Sequence, residues 1–354
     1  MCTSLHILYL GQSGGTSLDR ANALRRLGHK INLIDPHAFL PHRGIAGRIV
    51  AKLIYEFGGN VFESYIWNKI HKILKGQKFD IIWINSGELF GTATIRSLKA
   101  FAPCILNYNN DDPFGIYGTT RFSLYRRAIP EYDILVVMRS SNVNEAIELN
   151  ARKIYRAIFA ADEVNHNPLI LTNQDRIKWN SSVVFIGTWM PERGPFLSRL
   201  IELGIPLKIY GAQWHKAPEW AALKAAWAGP ELIGADYVKA IQCAKICIGM
   251  LSKGNRDLHT TRSAEIPYIG SVLCAERTSE HESLYTENEE AVFWNSPEEC
   301  AEKCFWLLND PDLRKRIAKS GRQRCIKNGM LNEIVAKKIL NIVISRLSKK
   351  ITSS

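Results

Sequence analysis

The chain contains no run of about 18 consecutive apolar residues in its 354, so hydropathy gives no segment the length of a membrane-spanning helix. It also lacks any cysteine pair with the two-residue gap typical of zinc sites. The eight cysteines are scattered, and Cys243/Cys247 and Cys300/Cys304 show the i, i+4 spacing of helix neighbours. Cys104, Cys247 and Cys274 fall in apolar segments, where a thiol packs as a small hydrophobe. The expectation is core cysteines, no metal and a reducing compartment. The opening MCTSLHILYLGQSGG runs straight into a strand and a glycine turn with nothing like a cleavable signal, so a cytoplasmic location is expected. There is no internal repeat and no low-complexity tract.

Acid is in short supply. Asp and Glu total 34 against 46 Lys and Arg, leaving a formal charge of +12, which asks for an anionic partner or surface. Nucleic acid is disfavoured, because no aromatic-plus-basic motif or zinc-finger pattern accompanies the charge. An anionic membrane surface fits better. The segment Pro41–Phe57 puts Ile45, Ile49, Leu53 and Ile54 near one helical face with Arg43, Arg48 and Lys52 close by, and the tail NEIVAKKILNIVISRLSKK is similar. The plainer reading of both segments is a helix packed on its own domain with a solvated basic face, and peripheral attachment stands beside it as the alternative.

What the chain does have is alternation. HILYL, INLID, DIIWIN, CILNYN, DILVVM and KIYRAIF are strand-sized apolar runs separated by helical stretches. A second series, VVFIG, PLKIY, ICIGML, SVLC and AVFW, follows the polar stretch ADEVNHNPLILTNQDRIKWNS. The pattern predicts two α/β domains, each a mostly parallel sheet with helices on both faces. The expected division is residues 1–165, a linker at 166–182, a second domain at 183–331 and a long C-terminal helix at 332–354.

Several turns carry residues suited to ligand binding. The first strand ends in GQSGGTS, where Gly14 and Gly15 bring backbone N–H groups to a helix start. Asp35 lies twenty residues on, but the glycine spacing is not the G-x-G-x-x-G of a dinucleotide fingerprint, so NAD is not expected. In VVFIGTWMPERG, Gly187, Thr188 and Arg193 sit where a strand turns into a helix, an arrangement that presents backbone donors and a guanidinium to a pyrophosphate. Asp257 and Glu265 stand eight positions apart, slightly over two helical turns, and read as facing one ligand from the same side.

An acid, seven residues and a glutamate, leading into the glycine-containing turn EIPYIGSVLC, resemble the donor-binding half of two-domain (GT-B) glycosyltransferases. More narrowly, residues 262–324 resemble the spore-maturation-type (CgeB-like) glycosyltransferases with a group 1 type C-terminal donor domain. The resemblance runs from about Val183 to the C-terminus and is looser before it. Aspartate at 257 departs from the usual glutamate. The resemblance implies a GT-B fold of two Rossmann-like domains facing a central cleft, with the C-terminal helix crossing back to the first. It implies an enzyme moving a sugar from a nucleoside diphosphate sugar to a glycan, lipid-linked or protein acceptor in polysaccharide biosynthesis, with retention and with neither metal nor other cofactor.

The same resemblance assigns roles. Arg193, Lys253 and Arg256 would match the charge growing on the departing diphosphate beside Asp257. Gly187 and Thr188 would approach the donor phosphates, Tyr210 and Gly211 would line the base pocket, and Glu265 would accept the ribose hydroxyls with Arg262 beside it. Arg277 and Thr278 would close a loop near the phosphates. On the acceptor side stand Gly14, Gly15, Glu88 and the acidic-proline motif Asp111, Asp112 and Pro113, with Asp112 as a candidate base. Two other functions use the same features: a nucleotide-sugar 2-epimerase, and a non-catalytic module docking on an anionic surface.

Overall fold

The computed structural model describes residues 4–41, 43–115 and 120–352; the end of the segment Asn107–Gly118 and one residue of Pro41–Phe57 lie outside them. The chain divides into two compact units. The first comprises residues 1–158, 254–256 and 332–354, and the second comprises 159–253 and 257–331. Residues 166–182, read as a linker, hold the helix Asn173–Trp179 and the start of a strand, and they group with the second unit.

The first unit is built on β1 (His6–Leu10), β2 (Lys30–Ile34), β3 (Ile81–Asn85), β4 (Ile105–Tyr108), β5 (Ile134–Val137) and β6 (Ile154–Arg156). They form a parallel sheet in the order β2-β1-β3-β4-β5-β6. Covered on both faces, the inner strands are almost continuous apolar runs. Leu8, Leu10, Ile82, Ile84, Ile105 and Leu135 form the core with Ile66, Ile70 and Leu74, which recur every four residues on the helix Glu63–Leu74. The C-terminal helix Asn332–Thr352 packs on the helix Gly15–Arg26, as expected. Arg26 pairs with Glu333 at 2.5 Å and Arg346 with Asp133 at 2.9 Å, while Val335, Ile339, Leu340 and Val343 are buried. The tail is therefore a packed helix.

The second unit carries β7 (Ser181–Ile186), β8 (Leu207–Tyr210), β9 (Trp227–Gly229), β10 (Ala244–Gly249), β11 (Val272–Glu276) and β12 (Val292–Trp294) in the parallel order β12-β11-β10-β7-β8-β9. The three-residue edge strand β9 is absent from the sequence reading; its WAG has no alternation to show it. Cys243 ends the helix Gly234–Cys243 and Cys247 lies in β10, so that pair does not share a helix as its spacing suggested. Cys300 and Cys304 do share the helix Pro297–Asn309. In each sheet the strand order reverses at the first strand of the unit, β1 or β7. In such sheets ligands bind outside the carboxyl ends of the strands at that reversal.

His281 ties the second unit together. It is 1% exposed; its Nδ1–H donates to the carbonyl of Glu276 (2.6 Å), which leaves Nε2 to accept from the Ser263 hydroxyl (2.7 Å). Burial holds its pKa down at about 4. Because the unfolded side chain titrates near 6.5, the neutral ring's contribution is complete above pH 6.5 and is lost as pH falls towards 4. The loss amounts to roughly 3 kcal/mol. Urea unfolding at pH 7 and pH 4.5 should show this term in the wild type and a flatter pH dependence in His281→Asn.

Candidate active site

Two clusters of polar residues lie at the carboxyl ends of the reversal strands, one in each unit. In the second unit, β7 leads into Gly187 and Thr188, and the helix Arg193–Glu202 follows. Gly187 N–H donates to the carbonyl of Tyr210 (2.9 Å), and its own carbonyl accepts from the Trp214 indole (3.0 Å). Gly211 has φ +147°, and a Cβ there would come within 1.9 Å of the Gly187 oxygen. Only glycine fits that approach.

Arg193 is 8% exposed. Its Nη1 donates to the Thr188 carbonyl (2.7 Å), its guanidinium lies 5.5 Å from the Phe185 ring centroid, and its buried Nε has no hydrogen-bond partner. It forms no ion pair among the described residues. Burial, reinforced by the charge of Arg262, lowers its pKa from the ordinary arginine value against the opposing pull of Glu192 and Asp257. Arg262 reaches the same strand end, with Nε donating to the Ile186 carbonyl at 3.4 Å. Two guanidinium groups thus converge where β7 ends, one of them without an ion pair among the described residues.

Glu265 is 2% exposed. One carboxylate oxygen accepts from Tyr237 Oη (2.6 Å) and from Arg262 Nη1; the other lies 3.8 Å from His166 Nε2. Burial alone would raise its pKa, but the charges of Arg262 and His166 and the Tyr237 hydrogen bond hold it below the ordinary value. The carboxylate, read in the sequence as the ribose acceptor, is enclosed here and paired with Arg262. Asp257 and Glu265 stand on a loop-to-helix junction. The helix begins only at Arg262, and Asp257 sits half-buried in the turn before it.

The remaining candidates of this region have partners within the protein. Lys253 pairs with Glu276. Arg256, with φ +52°, donates to Asp112 (2.6 and 2.7 Å) and Glu145 (2.7 and 3.0 Å). Arg277 is held by Glu282, Glu287 and Glu299, and Thr278 caps the helix Ser279–Leu284 by accepting from His281 N–H. Each of the four has a protein partner. Tyr210 is 8% exposed and packs against Trp179, whereas Gly211 lines a cavity of about 340 Å³ with Trp214, Trp220, Trp227 and Glu231.

In the first unit, Gly14, Gly15, Glu88 and Asp111, separate candidates in the sequence, line one cavity of about 370 Å³ with Arg20, His37, Asn109 and Arg121. Glu88 pairs with Arg121 and lies 3.2 Å from His37. Burial would raise its pKa, but the His37 hydrogen bond and the Arg121 charge bring it down to about 2. Asp111 lies 3.2 Å from Arg121. Asn109 is 1% exposed and its Nδ2 has no partner. Asp35 accepts from Ser13 N–H (2.8 Å) and Oγ (2.9 Å), so it holds the glycine loop.

Asp112, the candidate base, is surrounded by donors. Its carboxylate accepts from Arg256 Nε and Nη2, Asn142 Nδ2 (2.8 Å), Gly115 N (3.0 Å) and Phe114 N (3.3 Å). Burial works to raise its pKa, and the Arg256 and Asn142 hydrogen bonds with the charge of Arg139 outweigh it. Asn142 and Glu145, one helical turn apart on the helix Ser140–Glu148, complete this clamp; their i, i+3 spacing was the one available signal for it.

Cys274, Cys300 and Cys304 have sulfurs within 4.8 Å of one another in the second unit's core. Three thiols without a fourth ligand among the described residues, in apolar surroundings, do not make a structural zinc site. No helix among the described residues is long and apolar enough to cross a membrane.

Residues 193–341 match the model of the family described as "Glycosyl transferase-like". No curated protein matches. Among solved structures, sucrose-phosphate synthase from Thermosynechococcus elongatus aligns over 97% of this chain and 100% of its own, at 11% identity and a TM-score of 0.71. Anabaena HepE in complex with UDP-glucose aligns over 98% and 100%, at 12% identity and TM-score 0.66. A glycosyltransferase from Rickettsia africae aligns over 98% and 99%, at 17% identity and TM-score 0.65. The matched model covers the second unit's larger part and the start of the C-terminal helix, and the solved structures share the fold. Residues 193–341 are thus similar to a glycosyl transferase-like family, and the chain has a GT-B-like architecture of two Rossmann-like sheets.

Proposed function

We propose that the chain transfers a glycosyl unit from a nucleoside diphosphate sugar bound by the second unit to a hydroxyl of a glycan, lipid-linked or protein acceptor bound by the first. One observation carries this reading: Arg193, nine-tenths buried, has no carboxylate partner and an unsatisfied Nε at the carboxyl end of β7. An uncompensated buried cation is costly, and an incoming diphosphate supplies the missing charge with geometry suited to a guanidinium. The helix Arg193–Glu202 adds the positive end of its dipole. The tryptophan-lined cavity beyond Gly211 takes the base. Because HepE is described with UDP-glucose, uridine nucleotides are the first donors to try. The spore-maturation-type subtype is retained on its residues 262–324.

In the reaction the bond from the anomeric carbon to the diphosphate oxygen breaks and a bond to the acceptor oxygen forms. Negative charge grows on the leaving diphosphate, where Arg193 and Arg262 stabilise the transition state more than the ground state. Retention, with the acceptor proton passing to the leaving phosphate, is supported by the state of the two acids that would otherwise act as base. Asp112 is saturated by five donors, and Glu88 titrates at about 2. The polar cavity of the first unit, with donors from Arg20, Asn109 and the glycine turn and acceptors from Asp111, suits a polyhydroxylated acceptor.

Incubation with UDP-, GDP- and TDP-sugars and a panel of glycan acceptors, with and without magnesium, tests the assignment. The expected result is nucleoside diphosphate release from one donor, insensitive to magnesium, and a product with the donor's anomeric configuration by NMR. Conversion of the nucleotide sugar to its C2 epimer without an acceptor would replace transfer with epimerisation.

A further inference from the structure

The first unit exposes a helix that an aqueous surface does not explain. In Gly44–Phe57 (GIAGRIVAKLIYEF) only Gly47 and Ile54 are buried. Ile45, Ile49, Leu53 and Phe57 are 70%, 53%, 37% and 61% exposed. At four-residue intervals they sweep an arc of about 120°. Ile54, grouped with them in the sequence, instead points inward and anchors the helix. Tyr55 is also exposed, as are Val61 and Tyr65 just beyond. A helix packed on its own domain turns polar residues outward, so this one is inverted over much of its circumference.

Charge identifies the occupant. Exposed Arg48 and Lys52 border the apolar arc and exposed Arg43 precedes it. The helix's one acid, Glu56, lies 3.7 Å from Lys52. A second copy of this chain would bring the same cations against themselves, with a net charge of +12 on each copy. An anionic bilayer satisfies both halves of the pattern: the acyl boundary receives isoleucine, leucine and phenylalanine, while headgroups meet arginine, lysine and the tyrosine hydroxyl. We infer that the helix Gly44–Phe57 lies in the plane of an anionic phospholipid surface and attaches the first unit to it. This role is independent of the donor assignment.

Flotation of the full chain with phosphatidylcholine vesicles, with and without phosphatidylglycerol, tests it. The expected result is binding to the anionic vesicles alone, weakened by salt. Ile49→Ser combined with Phe57→Ser should weaken binding at least about 30-fold, and Arg48→Gln combined with Lys52→Gln about 30-fold. Since these positions are exposed, the unfolding midpoint of each variant should match the wild type. Absence of anionic-vesicle binding, or binding that both double variants retain, overturns the inference. So does a dimer in light scattering that Ile49→Ser/Phe57→Ser converts to monomer, because a second copy would then cover the helix.

Discussion

Replacing Arg193 with alanine is expected to lower turnover by about 10²–10³-fold, the range seen when one preorganised donor to developing charge is removed. Affinity for the nucleoside diphosphate should fall roughly 10- to 100-fold, since a charge-assisted hydrogen bond contributes about 1.5–3 kcal/mol. Stability should move the other way or not at all. The buried guanidinium has no carboxylate partner to orphan, its Nε is unsatisfied, and Arg262 already repels it. The folded protein carries a desolvation cost there that the ligand relieves. Arg193→Lys should recover part of the affinity and less of the turnover, because an ammonium keeps the charge without the fork. Steady-state kinetics and urea unfolding of the three proteins check the set. A large stability loss in Arg193→Ala with kinetics unchanged would make the residue structural.

Glu265→Ala is expected to do the reverse and destabilise the fold by about 3–5 kcal/mol, the usual effect of removing one partner from a buried ion pair. Arg262 would lose its counter-charge, and the Tyr237 hydroxyl and His166 would lose their neighbour. The wild-type contribution has a pH signature. The carboxyl is held below its unfolded value, so its stabilisation is present above the ordinary glutamate range and is lost as pH falls through the folded pKa. If Glu265 served only as an exposed ribose ligand, substitution would change stability by less than about 0.5 kcal/mol and weaken nucleotide binding alone. Urea midpoints of wild type and Glu265→Ala at neutral pH separate the two roles.

Much of the scaffold was legible because parallel strands covered on both faces are short apolar runs bounded by turns, and eleven of the twelve appear as such in the sequence. The missing one, Trp227–Gly229, is too short for any period to show. The strand-to-helix turn with Gly187, Thr188 and Arg193 was legible for a local reason: a glycine after a strand and a basic residue at a helix start are neighbours in the chain. The charge balance of each acid was not. Glu265 is enclosed by Tyr237 from 28 residues away, and Asp112 is saturated by Arg256 from 144 residues away. Spacing along the chain shows which acids are near a turn and says nothing about which cations fold back onto them. The exposed helix Gly44–Phe57 is a related case. Its sequence is compatible with packing or with a surface, and only the burial of Gly47 and Ile54 against the exposure of Ile45, Ile49 and Phe57 separates the two.

Isothermal titration of the intact protein with UDP, GDP, TDP and CMP, with and without magnesium and beside Arg193→Ala, tests the donor site most directly. The account predicts saturable binding of one nucleoside diphosphate, unchanged by magnesium and weakened at least about 10-fold in Arg193→Ala, whose fold is intact. Binding of no nucleotide by the wild type, or equal binding by the variant, would contradict a donor site built on Arg193.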